Sequence, residues 1–368
     1  MNHLNEQLLL PAVTFVIAFL TALWLHPKTV TVARLKNITD NPDKRKLQRE
    51  PVPVLGGVVV FFGIVLGVGL TSPFCSCPDL MLIFALILLM LYTGTLDDIM
   101  GLTPRFRLLV EVLAALAIIY IGGYRIDNFH GLWGFGHIPD WFGIPLTVIT
   151  VVGIINAINL IDGVNGLSSG YGMLACAVFG LFFIASGDLM MTLLATASIG
   201  ALIPFFAHNV FGKSSRMFIG DGGTLMMGML LSIFVLRTLT ANGPEVVFAA
   251  NFNVIPFSLA VLSIPVFDTL RVMTRRIMKR TSPFSPDKTH LHHAFIGLGC
   301  SHFVTTCCIL ALNLLIIGGW YLLYRSGCPA EGQIYFIVAT ALICTIGVYV
   351  AAKRSCRKAA DGARQSSC

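Results

Sequence analysis

The sequence has little charge and none of the common zinc-binding motifs. Only 12% of its 368 residues are Asp, Glu, Lys or Arg, against roughly 25% in soluble domains. It contains no HExxH segment, and its ten cysteines form no pair of CxxC motifs, so neither a zinc-protease helix nor a zinc finger is predicted. A chain with so few charges is not expected to be a soluble enzyme.

The sequence is instead 56% hydrophobic, with its apolar residues grouped into long runs. A helix needs about 20 apolar residues to cross the ~30 Å hydrocarbon core of a membrane. We expect an all-α, polytopic membrane bundle of about eleven transmembrane helices. It would form a single transmembrane domain, residues 1–352, followed by a short basic tail, residues 353–368. The predicted spans are Leu8–Leu25, Val54–Leu70, Leu80–Leu96, Leu108–Ile121, Ile144–Ile158, Leu167–Ala185, Leu189–Ala207, Thr224–Leu239, Val254–Leu270, Val304–Tyr324 and Ile334–Ala352.

Two of these spans carry a further expectation about where they begin. Leu8–Leu25 has no basic leader and no small-residue cleavage site, so we expect a retained helix rather than a signal peptide. Leu108–Ile121 is short, and Pro104 is suited to the first turn of a helix. We therefore expect this helix to begin at Pro104.

The distribution of Lys and Arg predicts the orientation, because cytoplasmic loops of membrane proteins are enriched in both. With eleven spans, only Arg125, Arg237 and Arg325 of the 25 basic residues fall in one set of loops. The other set is predicted to be cytoplasmic, with the N-terminus outside and the C-terminus inside. The net charge of +7 suits anionic lipid headgroups, and no soluble basic domain is present that would bind nucleic acid.

The segment "LYTGTLDDIMGL" (Leu91–Leu102) ends an apolar run on two adjacent carboxylates, Asp97 and Asp98. The carboxyl end of a helix is already negative, so two carboxylates there repel it and each other. A hydrated helix end would explain one Asp. For two, we expect a metal ion or the positive ends of other loops to offset the charge.

A second polar segment, "NAINLIDGVNGLSSG" (Asn156–Gly170), places a polar group at every third position. These residues are Asn156, Asn159, Asp162 and Asn165. Gly163 and Gly166 are expected to break the helix and leave a loop whose backbone can approach a ligand. Asn supplies both a carbonyl acceptor and an amide donor, which suits metal coordination or contact with a base; the alternative is a plain turn.

A third segment joins basic residues to an acidic glycine-rich helix start. Lys213 and Arg216 precede "GDGG", which contains Asp221, and the next helix is expected to begin at Thr224. Free N–H groups at a helix start attract anions, and Asp221 could hold Mg²⁺ there. Helix capping by Asp221 is the alternative, and the two roles are compatible.

The fourth segment follows the ninth span. Asp268 and Arg271 are three residues apart and are expected on one helix face. The segment "SPFSPDKTHLHHAF" then carries His290, His292 and His293. Their spacing differs from that of a zinc helix, so contact with phosphate is favoured over zinc. Taken together, the four segments indicate a multiply charged phosphate held by Mg²⁺, with a lipid partner arriving from the bilayer.

These motifs resemble those of the polyprenyl-phosphate N-acetylhexosamine-1-phosphate transferases, in glycosyltransferase family 4. The resemblance runs from "PVPVLGG" (Pro51–Gly57) to "PDKTHLHH" (Pro286–His293), with the four motifs in the family's order on one predicted membrane face. The HLHH sequence and the eleven spans resemble the bacterial undecaprenyl-phosphate branch that uses UDP-GlcNAc-type sugars.

The resemblance implies roles for these residues. It implies a catalytic group of Asp97, Asp98, Asp162, His290, His292 and His293. It implies Mg²⁺ ligands, with Mn²⁺ as an alternative ion, at Asn159 and Asp221. We expect substrate contacts from Asn156, Asn165, Lys213 and Arg216. Asn165 stands where the family motif NxxDGxDG has its second Asp, which argues against a catalytic-base role at that position.

The implied reaction transfers a sugar 1-phosphate from UDP-N-acetylhexosamine, GlcNAc in the first instance, to undecaprenyl phosphate and releases UMP. The enzyme would work at the cytoplasmic face of the bacterial inner membrane, among membrane lipid, and would start a lipid-linked glycan such as an O-antigen. The sequence leaves open the sugar, the polymer and a homodimer. Phospho-MurNAc-pentapeptide translocase activity is the nearest alternative; a secondary transporter, with its charges near the midplane, and an intramembrane metalloprotease are the others.

Overall fold

The computed structural model describes residues 2–40, 51–240, 252–281 and 289–365. Within these ranges the chain is almost entirely helical, and two short strands, β1 (Thr39–Asp40) and β2 (Val52–Pro53), pair antiparallel. The helices are α1 (Asn2–Leu35), α2 (Gly56–Thr71), α3 (Leu80–Met100), α4 (Pro104–Tyr120), α5 (Asp140–Leu160), α6 (Leu167–Ala185), α7 (Leu189–Phe211), α8 (Gly220–Leu239), α9 (Val254–Val261), α10 (Ser263–Met278), α11 (Leu291–Gly297), α12 (His302–Arg325) and α13 (Ala330–Gln365). The predicted all-α polytopic bundle is confirmed.

Nine helices in the described ranges are long and apolar enough to cross a membrane, and α9 with α10 would make a tenth span. The remaining predicted span corresponds to α4, which begins at Pro104 as expected and has 17 residues. At 1.5 Å per residue α4 is about 26 Å long, slightly less than the ~30 Å core. All eleven predicted spans therefore fall on helices.

The predicted span Val254–Leu270 is wrong in one respect, because it is not one straight helix. α9 and α10 form a bend of 72°. Pro265 has no N–H to donate to Val261, four residues earlier. The buried Asn313 side chain of α12 donates to that carbonyl (3.0 Å) and accepts from the Ile264 N–H (3.1 Å). The bend is thus stabilised by a side chain that replaces the missing backbone hydrogen bond.

Contacts divide the chain into two compact units. The first is drawn from Met1–Asn159 and Ser168–Val247, and the second from Leu160–Leu167 and Phe248–Cys368. α13 continues without a break through the predicted boundary between the transmembrane domain and the tail. The domain boundaries expected from the sequence remain a prediction.

Helix α8 is the centre of the first unit. All of its residues are buried except Asp221 in the first turn and Arg237 in the last turn. A helix that is apolar on every side must be surrounded by other helices, and α2 and α3 pack against α8. Phe183 of α6 also contacts Phe234 of α8, with ring centroids 5.4 Å apart. The two charged positions of this helix therefore lie at its ends.

The second unit is held together by α12 and α13, against which α9, α10 and α11 pack. Phe257 of α9 contacts Trp320 of α12, with ring centroids 5.5 Å apart. Trp320 is buried and donates through Nε1 to the Gln333 side chain of α13 (2.8 Å). This packing fixes the helices that carry the predicted histidine segment.

Candidate functional site

The predicted acidic pair lies at the carboxyl end of α3. The helix ends at Gly101, whose φ of 69° is in the left-handed region, and the Leu102 N–H donates to Asp97 Oδ1 (2.7 Å). Thr103 then caps α4 by accepting from the Phe106 N–H. This tight turn holds the Asp97 carboxylate beside the start of α4.

Glycines bring α3 and α8 into backbone contact. A Cβ on Gly94 of α3 would lie 2.4 Å from the carbonyl carbon and oxygen of Asp221 in α8, so only glycine fits there without a shift. Gly220 precedes Asp221 with a φ of 72°. The Gly222 N–H donates to Asp98 Oδ2 (3.4 Å). The close approach places the carboxylates of α3 at the amino end of α8, where a helix dipole favours negative charge.

Backbone hydrogen bonds from the "PVPVLGG" segment hold the chain just before α8. Phe218 donates to the Pro53 carbonyl (2.8 Å), and Gly57 donates to the Ile219 carbonyl (2.8 Å). α8 begins at Gly220, four residues earlier than predicted. The predicted start was wrong because Gly222 and Gly223 lie within the helix, where they pack against α3 and α2.

Arg107 of α4 lies at the centre of the first-unit cluster. Its guanidinium nitrogens contact side-chain oxygens of four predicted site residues: Asp97 (3.2 Å), Asn156 (3.2 Å), Asn159 (3.4 Å) and Asp221 (3.5 Å). Its Nε also lies 3.4 Å from the buried Glu111, one helical turn further along α4. One cation thus joins the polar ends of α3, α5 and α8.

The two asparagines of α5 are oriented by partners of their own. Asn159 Nδ2 donates to Asp221 Oδ1 (2.9 Å) and Thr224 Oγ1 (2.8 Å). Asn156 Nδ2 donates to Glu111 Oε2 (2.5 Å). Because both amide nitrogens are engaged elsewhere, both carbonyl oxygens are directed at Arg107 and are available to a cation.

The donor set around Arg107 fits Mg²⁺. This ion is bound in proteins by carboxylate and carbonyl oxygens together with water and substrate phosphates. Two carboxylates and two amide oxygens already surround a single positive group here. The oxygens therefore suit the divalent ion expected from the sequence.

Lys213 and Arg216, expected to bind substrate, lie in the segment before α8. Lys213 is exposed and Arg216 is partly buried. Ser215 between them accepts from or donates to His208 Nδ1 through its hydroxyl (2.8 Å), and its carbonyl lies 2.9 Å from His26 Nε2. In the described part of the chain, neither Lys213 nor Arg216 forms a hydrogen bond or an ion pair with Arg107. Their role in substrate binding remains a prediction.

In the second unit, the loop before α6 is fixed by α12. The Asn165 N–H donates to His302 Nδ1 (3.3 Å), and Thr306 Oγ1 donates to the Asn165 carbonyl (3.0 Å). A Cβ on Gly163 would lie 2.0 Å from His292 Nε2. Glycine at this position therefore lets the imidazole of His292 touch the loop backbone.

The predicted histidines lie at the start of α11. His290 Nδ1 lies 2.9 Å from Asp268 Oδ2, and Arg271 donates to Asp268 Oδ1 (2.6 Å), which confirms that Asp268 and Arg271 lie on one helix face. The rings of His292 and His293 are 4.3 Å apart. Burial, together with the neighbouring imidazoles, lowers the pKa of His292 to about 3. His292 is therefore neutral near pH 7 and can donate one hydrogen bond without adding charge.

The structure places the predicted site residues in two groups. In the first unit it brings together Asp97, Asp98, Asn156, Asn159 and Asp221. The second unit contains Asp162, Asn165, His290, His292 and His293. The individual roles expected for these residues remain predictions.

Arg107 and Glu111 were missed by the sequence reasoning, although a signal for them exists. They are four residues apart in an otherwise apolar segment, a spacing at which helical side chains interact. Charged residues inside a predicted membrane span are a strong sign of function. His302, in contrast, stands in no motif that distinguishes it.

Apolar helices and an oxygen-rich cluster at the ends of α3, α5 and α8 define a multi-pass membrane protein with a polar site. Residues 80–239, which run from the start of α3 to the end of α8, match the family model described as glycosyl transferase family 4. Over these residues the chain is similar to that family.

Similar proteins align with most of the chain. A protein named probable undecaprenyl-phosphate N-acetylglucosaminyl 1-phosphate transferase, from Bacillus subtilis (strain 168), is 29% identical over 320 residues, 85% of this chain and 84% of the relative. Two proteins named undecaprenyl-phosphate alpha-N-acetylglucosaminyl 1-phosphate transferase are each 27% identical. The one from Yersinia pestis aligns over 71% of this chain and 70% of its own length, and the one from Escherichia coli (strain K12) over 73% and 71%.

Proposed function

We propose that this protein transfers a sugar 1-phosphate from a UDP-N-acetylhexosamine, GlcNAc in the first instance, to undecaprenyl phosphate and releases UMP. The names of the relatives support undecaprenyl phosphate as the acceptor and GlcNAc 1-phosphate as the transferred group. The reaction would take place at the cytoplasmic face of the bacterial inner membrane and start a lipid-linked surface glycan.

The observation that carries the proposal is the ring of oxygens around Arg107. Phosphoryl transfer requires little covalent help from the protein, but it requires cations beside a diphosphate. One cation, the Arg107 guanidinium, lies within 3.5 Å of side-chain oxygens of Asp97, Asn156, Asn159 and Asp221. The same oxygens suit a divalent ion, and the guanidinium suits a phosphate.

In the proposed mechanism Asn159 and Asp221 would hold Mg²⁺ or Mn²⁺, which would supply positive charge to the donor diphosphate. Arg107 then leaves the carboxylates and binds a phosphate oxygen, for which its planar donors are well matched. Asn156 is held by Glu111 and keeps its carbonyl directed at the same place. Arg107 thus stabilises the carboxylates of Asp97 and Asp221 in the protein without substrate.

Asp97 and Asp98 orient the lipid phosphate. A phosphate monoester has its second pKa near 6, so at pH 7 most of it is a dianion that can attack without a strong base. A lipid phosphate oxygen forms a bond to the β-phosphorus of the donor, and the bond from that phosphorus to the oxygen of UMP breaks. The sugar's anomeric bond is untouched.

The second-unit residues are proposed to bind the donor. The three histidines, His290, His292 and His293, would contact the sugar and the diphosphate. Asp162 is assigned to the same catalytic group. Asn165 would bind the nucleotide through its amide, and Lys213 and Arg216 would contribute positive charge to the same substrate. These assignments rest on the resemblance and on the phosphate chemistry of imidazole and cationic side chains.

A reconstitution experiment tests this function. The purified protein is placed in liposomes with undecaprenyl phosphate, Mg²⁺ and UDP-GlcNAc labelled in the sugar. We expect label in the organic phase with an equimolar amount of UMP. Asp221→Asn should abolish the product, whereas Asp140→Asn, an exposed carboxylate at the other end of α5, should leave it unchanged.

Two results would replace the proposal. Labelled solute trapped inside the liposomes without lipid labelling would indicate a secondary transporter. A product formed from UDP-MurNAc-pentapeptide but not from UDP-GlcNAc would indicate the translocase alternative. The oxygen cluster favours neither of these over sugar 1-phosphate transfer.

A further inference from the structure

Asp268 is a buried carboxylate, only 2% exposed, that collects hydrogen bonds from the histidine segment. Its oxygens lie 2.9 Å from His290 Nδ1 and 3.2 Å from the Leu291 backbone nitrogen. Arg271 donates to Asp268 (2.6 Å) and also to the Thr289 carbonyl (2.6 Å). The pair from α10 therefore holds the chain on both sides of His290.

The other nitrogen of His290 has a different environment. The His290 ring is 4% exposed, and its Nε2 atom is buried without a hydrogen-bond partner among the described residues. A buried polar atom without a partner is costly. Such an atom in a segment rich in imidazoles marks a place where a ligand atom completes the hydrogen bond.

We propose that Asp268 is the positioning residue of His290, and that it presents His290 Nε2 to an oxygen of the donor diphosphate. The two ring nitrogens of a histidine are distinct, and the partner of one fixes the role of the other. Because a carboxylate accepts only, Asp268 keeps a proton on Nδ1. Nε2 is then the nitrogen that meets the phosphate. This inference rests on the proposed function.

The charges around His290 support a donating Nε2 in the bound state. An anionic phosphate oxygen can only accept a hydrogen bond, so Nε2 would bind it as an N–H donor, with the second proton of the ring taken from solvent. Arg271 donates to Asp268 (2.6 Å) and lies over the Tyr349 ring of α13 (4.7 Å). A further titratable neighbour is His292, whose ring is parallel to that of His290 at 5.9 Å, and the His293 ring lies 4.3 Å from that of His292.

A double-mutant cycle with Asp268→Asn and His290→Gln tests the assignment. We expect Asp268→Asn to lower kcat/KM for UDP-GlcNAc about 10- to 100-fold, the range for an outer partner of a working histidine. In the His290→Gln protein, Asp268→Asn should have almost no further effect, because the residues act as one unit. The alkaline limb of the kcat/KM profile should also move to lower pH in Asp268→Asn, because the ring that binds phosphate is the protonated one and it loses its counter-charge.

Two controls separate this role from general stabilisation. Asp188→Asn removes another buried carboxylate, which is paired with Arg237 (2.7 Å) in the first unit; it should lower the unfolding temperature without moving the pH profile. If Asp268→Asn does not fold, Asp268→Glu replaces it in the same cycle, because it keeps the charge but displaces the carboxylate.

The outcomes are distinct. An active wild-type enzyme in which the two substitutions are independent, or in which Asp268→Asn keeps the wild-type kcat/KM, would overturn the inference alone. A wild-type protein that makes no lipid-linked product would overturn the proposed function. Non-additive effects with a shifted pH profile are the result that the positioning role requires.

Discussion

Asp97 and Asp98 stand side by side at the negative end of α3, where two carboxylates should repel each other and the helix dipole. Each is offset by a particular group. The Asp97 carboxylate lies 3.2 Å from Arg107 and accepts from a backbone N–H in the turn. Asp98 accepts from the Gly222 N–H at the positive end of α8. The repulsion is thus balanced by α4 and by a helix start.

Substitution of Asp221 tests the proposed metal site most directly. We expect Asp221→Asn to reduce turnover about 100-fold or more, the order of loss seen when one electrostatic group of an active site is removed. The amide keeps the shape but removes one negative charge from the ion's surroundings. Turnover measured over a Mg²⁺ titration, with Mn²⁺ binding measured by electron paramagnetic resonance, checks this. Wild-type behaviour in both measurements would refute Asp221 as a ligand.

Arg107 should show opposite effects on metal binding and on turnover. Its guanidinium lies among the oxygens that suit the ion, so Arg107→Gln should bind Mn²⁺ more tightly in the absence of substrate. The same variant should turn over at least about 10-fold more slowly, because a charged donor to phosphate is lost. Arg105→Gln, two residues earlier on α4, is the matched control. Weaker Mn²⁺ binding by Arg107→Gln would contradict the exchange of arginine for metal.

At the scale of helices, the contact between α3 and α8 determines whether the site forms. We expect Gly94→Ala to destabilise the protein by about 1–3 kcal/mol, as overpacking does, because its Cβ would lie 2.4 Å from the α8 backbone. Gly69→Ala on α2, where a Cβ meets nothing within 4 Å, should be neutral or slightly stabilising. Thermal unfolding in one detergent compares them. Equal unfolding temperatures would mean that the close approach is not required.

The helices themselves were predictable, because an apolar run of membrane-spanning length has few other stable structures. Their irregularities were not. Hydropathy measures only how apolar a segment is, so it did not predict the bend between α9 and α10. Pro265, which removes a backbone hydrogen bond, was the available signal. Likewise, the start of α8 depends on packing against α3, which no pattern within "GDGG" reveals.

The candidate site was predictable in its residue types but not in its pairings. Carboxylates, amides and histidines at the ends of apolar runs indicate phosphate and metal chemistry. The contact of Arg107 with Asp221 joins residues 114 positions apart, and it depends on glycine contacts between helices distant in sequence. For this reason the sequence indicated most of the oxygens around Arg107 but not Arg107 itself.

At the scale of the whole molecule, the proposed reaction is direct: the lipid phosphate attacks the soluble UDP-sugar. We expect no release of UMP when undecaprenyl phosphate is absent, because the lipid phosphate itself attacks. In Asp98→Asn, the loss of activity should be larger at pH 5.5 than at pH 8.5, where the monoester is fully ionised. Rapid-quench measurement of UMP checks this. A stoichiometric burst with labelled sugar phosphate left on the protein, absent in Asp98→Asn, would establish a covalent route instead.

The central claim is that a sugar 1-phosphate, and not a sugar alone, moves to the lipid. The most direct measurement uses UDP-GlcNAc carrying ³H in the sugar and ³²P at the β-phosphorus, with undecaprenyl phosphate in liposomes. The account predicts that both labels enter the lipid in their starting ratio and that unlabelled UMP is released. Tritium in the lipid with ³²P remaining in released UDP would contradict it, because the bond broken would then be the anomeric one.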